Sequence, residues 1–154
     1  MKILLDTHTH TLASTHAYST VLEMAKYASE AGMEAIAITD HAPAIPDGAH
    51  PWHFQNLKAI PREIYGVKIL YGAEVNILDL EGNIDLAKNN HKLIEINNHS
   101  FDVRKASIPN CRKIAEICKE KEVGIVVSSD AHITFDLGNY NNALGMLSEI
   151  SFPE

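Results

Sequence analysis

The chain has 154 residues, of which 45% are hydrophobic and 21% charged, and its formal net charge at pH 7 is −7. These values are typical of a soluble globular protein, and we expect a single domain over residues 1–154. The acidic balance argues against nucleic acid as a partner, because displacing counterions from phosphates requires a basic surface. The apolar run at residues 3–5 is too short for a signal peptide or a membrane span, so a cytoplasmic location without a membrane partner is expected.

The first predicted element is a short buried strand over residues 2–6, followed by a histidine-rich segment within LDTHTHTLASTH. His8 and His10 are two residues apart, a spacing that places both side chains on one face of an extended chain. His16 follows on the first loop. An isolated HxH pattern is weak evidence of metal binding, so its meaning depends on the residues at the ends of the other strands.

The elements after this segment alternate between helices and strands. A helix over residues 19–32 is predicted from its apolar stripe, from a capping box of Thr20 and Glu23, and from Gly32 at its end. Further strands are expected over residues 35–39, 68–75, 92–97 and 124–129, and further helices over residues 111–121 and 141–149. Apolar strands that alternate with amphipathic helices indicate an α/β fold with a parallel sheet.

The connection between the third and fourth predicted strands is unusually short. Residues 77–91 must carry the chain back across the sheet, and a parallel crossover usually takes a dozen or more residues with a helix. The segment IDLAKNN can supply at most two helical turns. The sequence therefore predicts a cramped crossover at this point.

Residues with metal-binding side chains collect at the ends of four predicted strands. They are His8 and His10 after the first strand, Asp40 and His41 after the second, Glu74 at the third, and Asp130 and His132 after the fifth. In (β/α) barrels the carboxyl ends of several strands together build the working site. Imidazole nitrogens and carboxylate oxygens suit zinc, manganese or iron. The pattern therefore predicts a multinuclear metal site.

Eight motifs occur in this chain in an order that is specific to one family. They are DTHTHTLASTHAYS, AITDHAP, WHFQNLKAIPR, GAEVNI, EGNIDL, EINNHSF, NCRKIAE and SSDAH. Together they resemble the PHP (polymerase and histidinol phosphatase) family, specifically its YcdX-like phosphatase branch, over nearly the whole chain. The resemblance implies a metal-dependent phosphoesterase on a distorted seven-stranded (β/α) barrel, a TIM-like barrel, with a trinuclear centre. It also implies a first ion held by His8, His10, Glu74 and Asp130, a second held by His16, His41 and His132, and a third to which Glu74 bridges.

The chain departs from the family pattern after EGNIDL and after ISFPE. At the first point the family has two more β/α units, each with one histidine for the third metal, and at the second point it has a further helical segment. We therefore expect an incomplete barrel of about five parallel strands with two to three divalent transition-metal ions per chain, zinc being favoured over manganese or iron. We also expect that Leu86 and Ala87 are not bonded. A contiguous chain would instead mean a real deletion, an open sheet beside the third and fourth strands, and a homo-oligomer formed through that gap.

His53 and Arg104 are the candidate catalytic residues that contact substrate. His53 can bind a phosphate oxygen or simply pack with its aromatic neighbours, and the planar guanidinium of Arg104, on the loop after the fourth strand, suits phosphate. His99 is a candidate substitute ligand near the open site. The predicted reaction is hydrolysis of a small phosphorylated substrate by metal-activated water, because no serine or cysteine nucleophile is suitably placed.

Two other functions stay open at the level of the sequence. A non-catalytic metal-binding remnant would keep the ligands without turnover. An amidohydrolase-like metal hydrolase would build similar histidine clusters on the same kind of barrel, although SSDAH and EINN speak against it. A nuclease role is disfavoured by the acidic balance.

Overall fold

A computed structural model describes residues 3–75 and 80–153 of the chain. They form two compact units. The first contains the described residues up to Val75 together with Ser129–Gly138, and the second contains those from Leu80 to Ser128 and from Asn139 onward. No helix in the described part of the chain is long and apolar enough to cross a membrane.

Helices and strands alternate along both units, which confirms the α/β class. The first unit contains β1 (Leu5–Thr9), α1 (Val21–Glu30), β2 (Ala35–Ile38), α2 (Pro51–Asn56), β3 (Glu63–Ile64) and β4 (Val67–Tyr71), with 3₁₀ turns at Leu57–Ala59 and Thr134–Asp136. The second contains α3 (Leu80–Asn89), β5 (Ile94–Asn97), α4 (Ser100–Val103), α5 (Ile108–Lys121), β6 (Ile125–Ser128) and α6 (Asn141–Glu149), with a 3₁₀ turn at Lys105–Ser107.

The first unit is built on a four-stranded sheet of order β1-β2-β4-β3. The strands β1, β2 and β4 are parallel, and Ile36 of β2 pairs with Asp6 on one side and Ile69 on the other. One face of α1 packs on this sheet, because its apolar residues recur at three- and four-residue spacing. The buried cluster consists of Met24, Ala25, Ala28, Ile36, Ile38, Val67, Ile69, Ala131 and Leu137.

The helix α1 begins and ends where its sequence signals predict. The Glu23 carboxylate accepts from the Thr20 backbone N–H at 2.7 Å, and Thr20 Oγ1 accepts from the Glu23 N–H at 3.3 Å, which completes the predicted capping box. Gly32 follows the helix with φ +72°. That left-handed conformation strains residues with a Cβ, so glycine is suited to it.

The first strand lies further along the chain than predicted. It runs over Leu5–Thr9 instead of residues 2–6, so His8 lies inside the strand and His10 directly follows it. The apolar pattern stops at Asp6, whereas the backbone pairing with β2 continues, and Thr9 pairs with Ile38. Asp6 is fully buried. Its carboxylate accepts from the backbone N–H groups of Ser129 and Gly138, and these hydrogen bonds compensate for the lost contact with water.

The third parallel strand is shorter than predicted, and a hairpin precedes it. β4 ends at Tyr71, so Glu74 lies beyond the strand. The short β3 runs antiparallel to β4 and is joined to it by Tyr65 and Gly66, both of which have positive φ. Two such residues form the tight turn that matches strand twist. β3 therefore pairs with the start of β4, at an edge of the sheet where the sequence predicts no partner strand.

The second unit contains a parallel pair, β5 and β6, with Ile94 opposite Ile125 and Asn97 opposite Ser128. Its buried residues form two clusters with helices α3, α5 and α6, namely Ile84, Ala87, Ile94, Cys118 and Val123 in one and Ile96, Ala115, Ala143 and Met146 in the other. The five parallel strands therefore belong to two sheets, and the described residues form no closed barrel.

The helix α3 is longer than the sequence predicts for the crossover. It extends over ten residues, nearly three turns, where at most two turns were predicted. Leu86 and Ala87 are consecutive residues inside it, and the Asn90 N–H donates to the Leu86 carbonyl at 3.1 Å. The expectation of a break or a deletion at this point stays a prediction. The helix forms because Ile84 and Ala87 on one face are buried in a cluster with Ile94.

Candidate metal centre

The first unit brings the ends of its strands together through isolated backbone bridges. Thr9 at the end of β1 pairs with Ala131, and the His10 N–H donates to the Ala131 carbonyl at 2.9 Å. In the same way His41, after β2, pairs with Glu74, after β4. The seven predicted ligands therefore lie in one connected cluster within this unit.

Four donor atoms converge at the predicted first site. His8 Nε2 lies 2.9 Å from His10 Nε2, 3.4 Å from Asp130 Oδ1 and 3.7 Å from Glu74 Oε2. His10 Nε2 lies 2.9 Å from Asp130 Oδ1 and 3.6 Å from Glu74 Oε2. Donors at tetrahedral angles around zinc are separated by about 3.3 Å. These spacings fit donors that surround one ion.

Burial and backbone geometry fix these four side chains. His8, His10 and Asp130 are buried, and the Glu74 side chain is 16% exposed. Asp130 adopts φ +58°, a conformation that aspartate tolerates better than most residues. The strained residue lies where a carboxylate is aimed at two imidazoles, as is common in functional sites.

The residues of the predicted second site are grouped differently from the prediction. The sequence places His16, His41 and His132 around one ion. In the structure, His41 and His132 have donor atoms within 4.8 Å of each other and of His10, whereas His16 forms such a group with His41 and Asp47. The His132 ring stacks between the rings of His10, at 4.2 Å, and His16, at 4.4 Å. The Asp47 carboxylate, which the sequence analysis did not single out, accounts for the difference.

Three of the imidazoles have their Nδ1 atoms bound to oxygen acceptors. The Nδ1 atoms of His41 and His16 lie 2.8 Å from the two oxygens of Asp47, and His132 Nδ1 lies 2.9 Å from the Asp130 carbonyl. A carbonyl or an ionised carboxylate only accepts, so each of these nitrogens carries the proton. When such a ring is neutral, its Nε2 atom carries the lone pair, which is the usual arrangement of ligating histidines.

The Nδ1 atom of His10 also carries a proton, because of its contact with Ser14. The Ser14 hydroxyl donates its single proton to Asp40 Oδ1 at 2.8 Å, and it accepts from the His41 backbone N–H at 3.1 Å. His10 Nδ1, at 3.1 Å from this hydroxyl, must therefore be the donor. In the neutral form of the ring, His10 Nε2 then carries the lone pair, and this atom lies 2.9 Å from both His8 Nε2 and Asp130 Oδ1.

Asp40 is a buried anchor of the first loop, a role that its place next to His41 in the sequence does not reveal. Its two oxygens accept from the Thr11 N–H at 2.7 Å, from the Thr11 hydroxyl at 2.8 Å and from Ser14. His53 Nε2 lies 3.0 Å from Asp40 Oδ2. These contacts satisfy the carboxylate and fix the loop that carries His10 and Ser14.

The ionisation states in the cluster suit a metal centre. Burial raises the pKa of Glu74, but the hydrogen bond and charge of His8 outweigh it, so the pKa is lowered on balance. The hydrogen bond from His41 lowers the pKa of Asp47. Burial, followed by the charge of His10, lowers the pKa of His132 to about 4. Ionised carboxylates and a neutral imidazole are the forms that bind divalent transition metals, so Glu74, Asp47 and His132 fit such ions.

The two predicted substrate contacts lie in different units. His53, in α2, is paired with Asp40, and its ring also contacts Phe54 at 5.1 Å. Arg104 ends α4 in the second unit, and His99 precedes the same helix. The roles of His53 and Arg104 in substrate binding, and of His99 as a substitute ligand, stay predictions.

Comparison with known proteins identifies the family. A family model described as a PHP domain matches residues 6–149. The chain belongs to the PHP family. The matched residues belong to both compact units. That residues 1–154 form one PHP domain stays a prediction.

Relatives of this PHP chain include proteins named "probable phosphatase". One, from Clostridium novyi, is 36% identical, and the alignment covers all of this chain and 89% of that protein. Another, from Acetivibrio thermocellus, is 37% identical and covers 99% of this chain and 89% of its own length. A crystal structure described as that of the "putative histidinol phosphatase" from Listeria monocytogenes matches with a TM-score of 0.50 and 13% identity, over 88% of this chain and 97% of that chain. That likeness supports the fold, an incomplete PHP barrel.

The relatives are longer within the matched region. The alignment to the C. novyi protein extends over 217 residues, whereas this chain has 154, so roughly 60 aligned positions have no counterpart here. This difference agrees with the internal departure from the PHP pattern that the sequence motifs indicate.

Proposed function

We propose that this PHP chain is a metal-dependent phosphatase that hydrolyses a small phosphorylated substrate. The observation that carries the proposal is the convergence of His8, His10, Glu74 and Asp130, in which the two imidazole Nε2 atoms lie 2.9 Å from each other and 2.9–3.7 Å from the carboxylate oxygens. The phosphatase names of its relatives support the reaction class.

The proposed centre holds two ions. The first is held by His8, His10, Glu74 and Asp130, and the second by His41, His132 and His16, with Glu74 close to both because its Oε2 lies 3.1 Å from His41 Nε2. Mixed imidazole and carboxylate donors favour zinc, with manganese or iron as alternatives. When bound, divalent ions activate water and neutralise negative charge during displacement at phosphorus.

The chain's own polar residues would orient the substrate. His53 donates to Asp40 through Nε2, so its Nδ1 can donate to a phosphate oxygen only when the ring is doubly protonated. Arg104 is proposed to supply a two-pronged contact to a phosphate. Neither residue belongs to the proposed metal ligands.

Two alternatives predict different outcomes. The first alternative is a non-catalytic metal-binding protein. The alignment to a relative extends over 217 residues, whereas this chain has 154, so roughly 60 aligned positions have no counterpart here. The absence of these residues favours this alternative. An amidohydrolase-like enzyme would use the same donors on amides or lactones. The names of the relatives give that alternative no support.

The test combines elemental analysis with assays. Dialysed protein should contain close to two transition-metal ions per chain and should hydrolyse aryl and sugar phosphates, with activity lost to a chelator and restored by zinc or manganese. Metal-replete protein that is inactive on every phosphate ester would favour the non-catalytic alternative. Turnover of amides or lactones alone would favour the amidohydrolase. A metal content near zero would remove the case for a metal-dependent enzyme.

A further inference from the structure

A single carboxylate bridges two histidines of the proposed second site. Asp47 lies on the loop between β2 and α2, and its two oxygens each lie 2.8 Å from an imidazole Nδ1, one of His41 and one of His16. The two rings come from different loops, after β1 and after β2. Asp47 therefore joins the two loops at the point where both present a candidate ligand.

The loop is folded so that Asp47 reaches both rings. Its backbone is closed by hydrogen bonds from the Ile45 N–H to the Ala42 carbonyl at 2.9 Å and from the Ala49 N–H to the His41 carbonyl at 3.0 Å. A Cβ at Gly48 would overlap the Ala42 carbonyl oxygen, so the turn next to Asp47 requires glycine. The position of Asp47 is thus set by the backbone.

We propose that Asp47 is a positioning residue that fixes the tautomer and orientation of His41 and His16, so that their Nε2 atoms bind the second ion. This inference rests on the proposed function, because it assumes a metal at that site. Asp47 accepts from both Nδ1–H groups, and His41 Nε2 is directed towards Glu74, 3.1 Å away. Carboxylates that hold ligating histidines in this way raise metal affinity.

Direct ligation by Asp47 fits the geometry less well. Asp47 contacts the Nδ1 atoms of the two rings at 2.8 Å, the length of a charge-assisted hydrogen bond, whereas His41 directs its other nitrogen, Nε2, towards Glu74. Stability does not explain the arrangement either. The His16 side chain is 54% exposed and that of Asp47 is 31% exposed, and exposed ion pairs contribute little to folding.

The test measures metal affinity in Asp47→Asn. An amide offers one acceptor oxygen and one NH₂ group, so at most one ring keeps its hydrogen bond. We expect the second, weaker ion to bind about 10- to 100-fold less tightly in competition with a chelator, with two ions still bound at saturation and the first affinity unchanged. Asp85→Asn, which removes an exposed carboxylate from the second unit, is the matched control and should match wild type.

The possible results distinguish a positioning role of Asp47 from direct ligation and from failure of the proposed function. Unchanged affinities in Asp47→Asn, in protein with a wild-type unfolding midpoint, would overturn the positioning role. Loss of the second ion even at saturation, with a changed visible spectrum of the cobalt-substituted protein, would make Asp47 a ligand and would also overturn it. A wild-type protein that binds no metal would instead refute the proposed function. Gly48→Ala, which displaces Asp47 without removing it, should weaken the second ion in the same direction.

Discussion

The imidazole of His8 lies between two carboxylates, with its Nε2 at 3.4 Å from Asp130 and 3.7 Å from Glu74. Replacing His8 by alanine should remove one ion per chain, because the first site loses one of four donors. The unfolding temperature of the metal-loaded protein should also fall, since bound metal stabilises only the folded state. Elemental analysis and thermal unfolding measure both effects.

The control for this variant is His91→Asn, which removes an imidazole from a turn outside the cluster. His91 has φ +53°, and asparagine tolerates that conformation. It should retain the metal content of wild type. Wild-type metal content in His8→Ala itself would show that His8 is not a ligand.

His132 predicts a pH dependence of the metal-free protein. Its folded pKa is about 4, against 6.5 for an ordinary histidine, because burial and then the charge of His10 disfavour the imidazolium. Between these two values the unfolded chain binds more protons than the folded chain, so the free energy of unfolding rises with pH. The stabilisation is complete above pH 6.5 and is lost as the pH falls towards 4. The lowered pKa of Glu74 acts in the same direction at still lower pH.

Urea unfolding of chelator-treated protein between pH 7.5 and 4.5 tests this expectation. The loss should be at most on the order of 3 kcal/mol, since each pKa unit corresponds to about 1.4 kcal/mol. His132→Gln should show a flatter dependence than wild type. An equal slope in the two proteins would contradict the assignment to His132.

Among the secondary-structure elements, α1 gives the clearest energetic prediction. Thr20→Ala removes the side-chain acceptor for the Glu23 N–H and should lower the free energy of unfolding by about 1 kcal/mol. Thr20→Ser keeps the hydroxyl and should stay close to wild type. Urea denaturation of the two variants provides the measurement, and equal stabilities would mean that the Thr20 hydroxyl contributes nothing as a cap.

Helices with strong apolar periodicity were predicted more accurately than strand ends. The bounds of α6 agree with the prediction over residues 141–149, and those of α1 lie within the predicted segment. The apolar pattern places β1 too early in the chain. Its buried residues include the polar Asp6 and His8, which do not follow the apolar pattern of a buried strand. The hairpin at Tyr65 and Gly66 was missed, although a glycine after a short polar stretch is a usable turn signal.

At the scale of the whole chain, an open sheet edge predicts that one chain associates with another. β3 pairs with β4 only through Glu63–Lys68 and Ile64–Val67, and Leu70 further along β4 is 43% exposed. A strand edge with exposed apolar side chains favours pairing with a second chain. We therefore predict a homodimer or larger assembly, detected by light scattering at increasing concentration. A monodisperse monomer that does not bind a hydrophobic dye would contradict it.

Periodicity and residue chemistry are local properties, so the alternation of elements, the PHP motifs and the types of donor at the strand ends can all be read from the chain. The grouping of the donors cannot, because it depends on contacts between distant segments. Ser14 meets Asp40 across 26 residues, and Asp47 holds His16 and His41 from separate loops. Such contacts depend on where loop backbones pass in space, so neither the role of Asp47 nor the proton on each imidazole can be read from spacing along the chain.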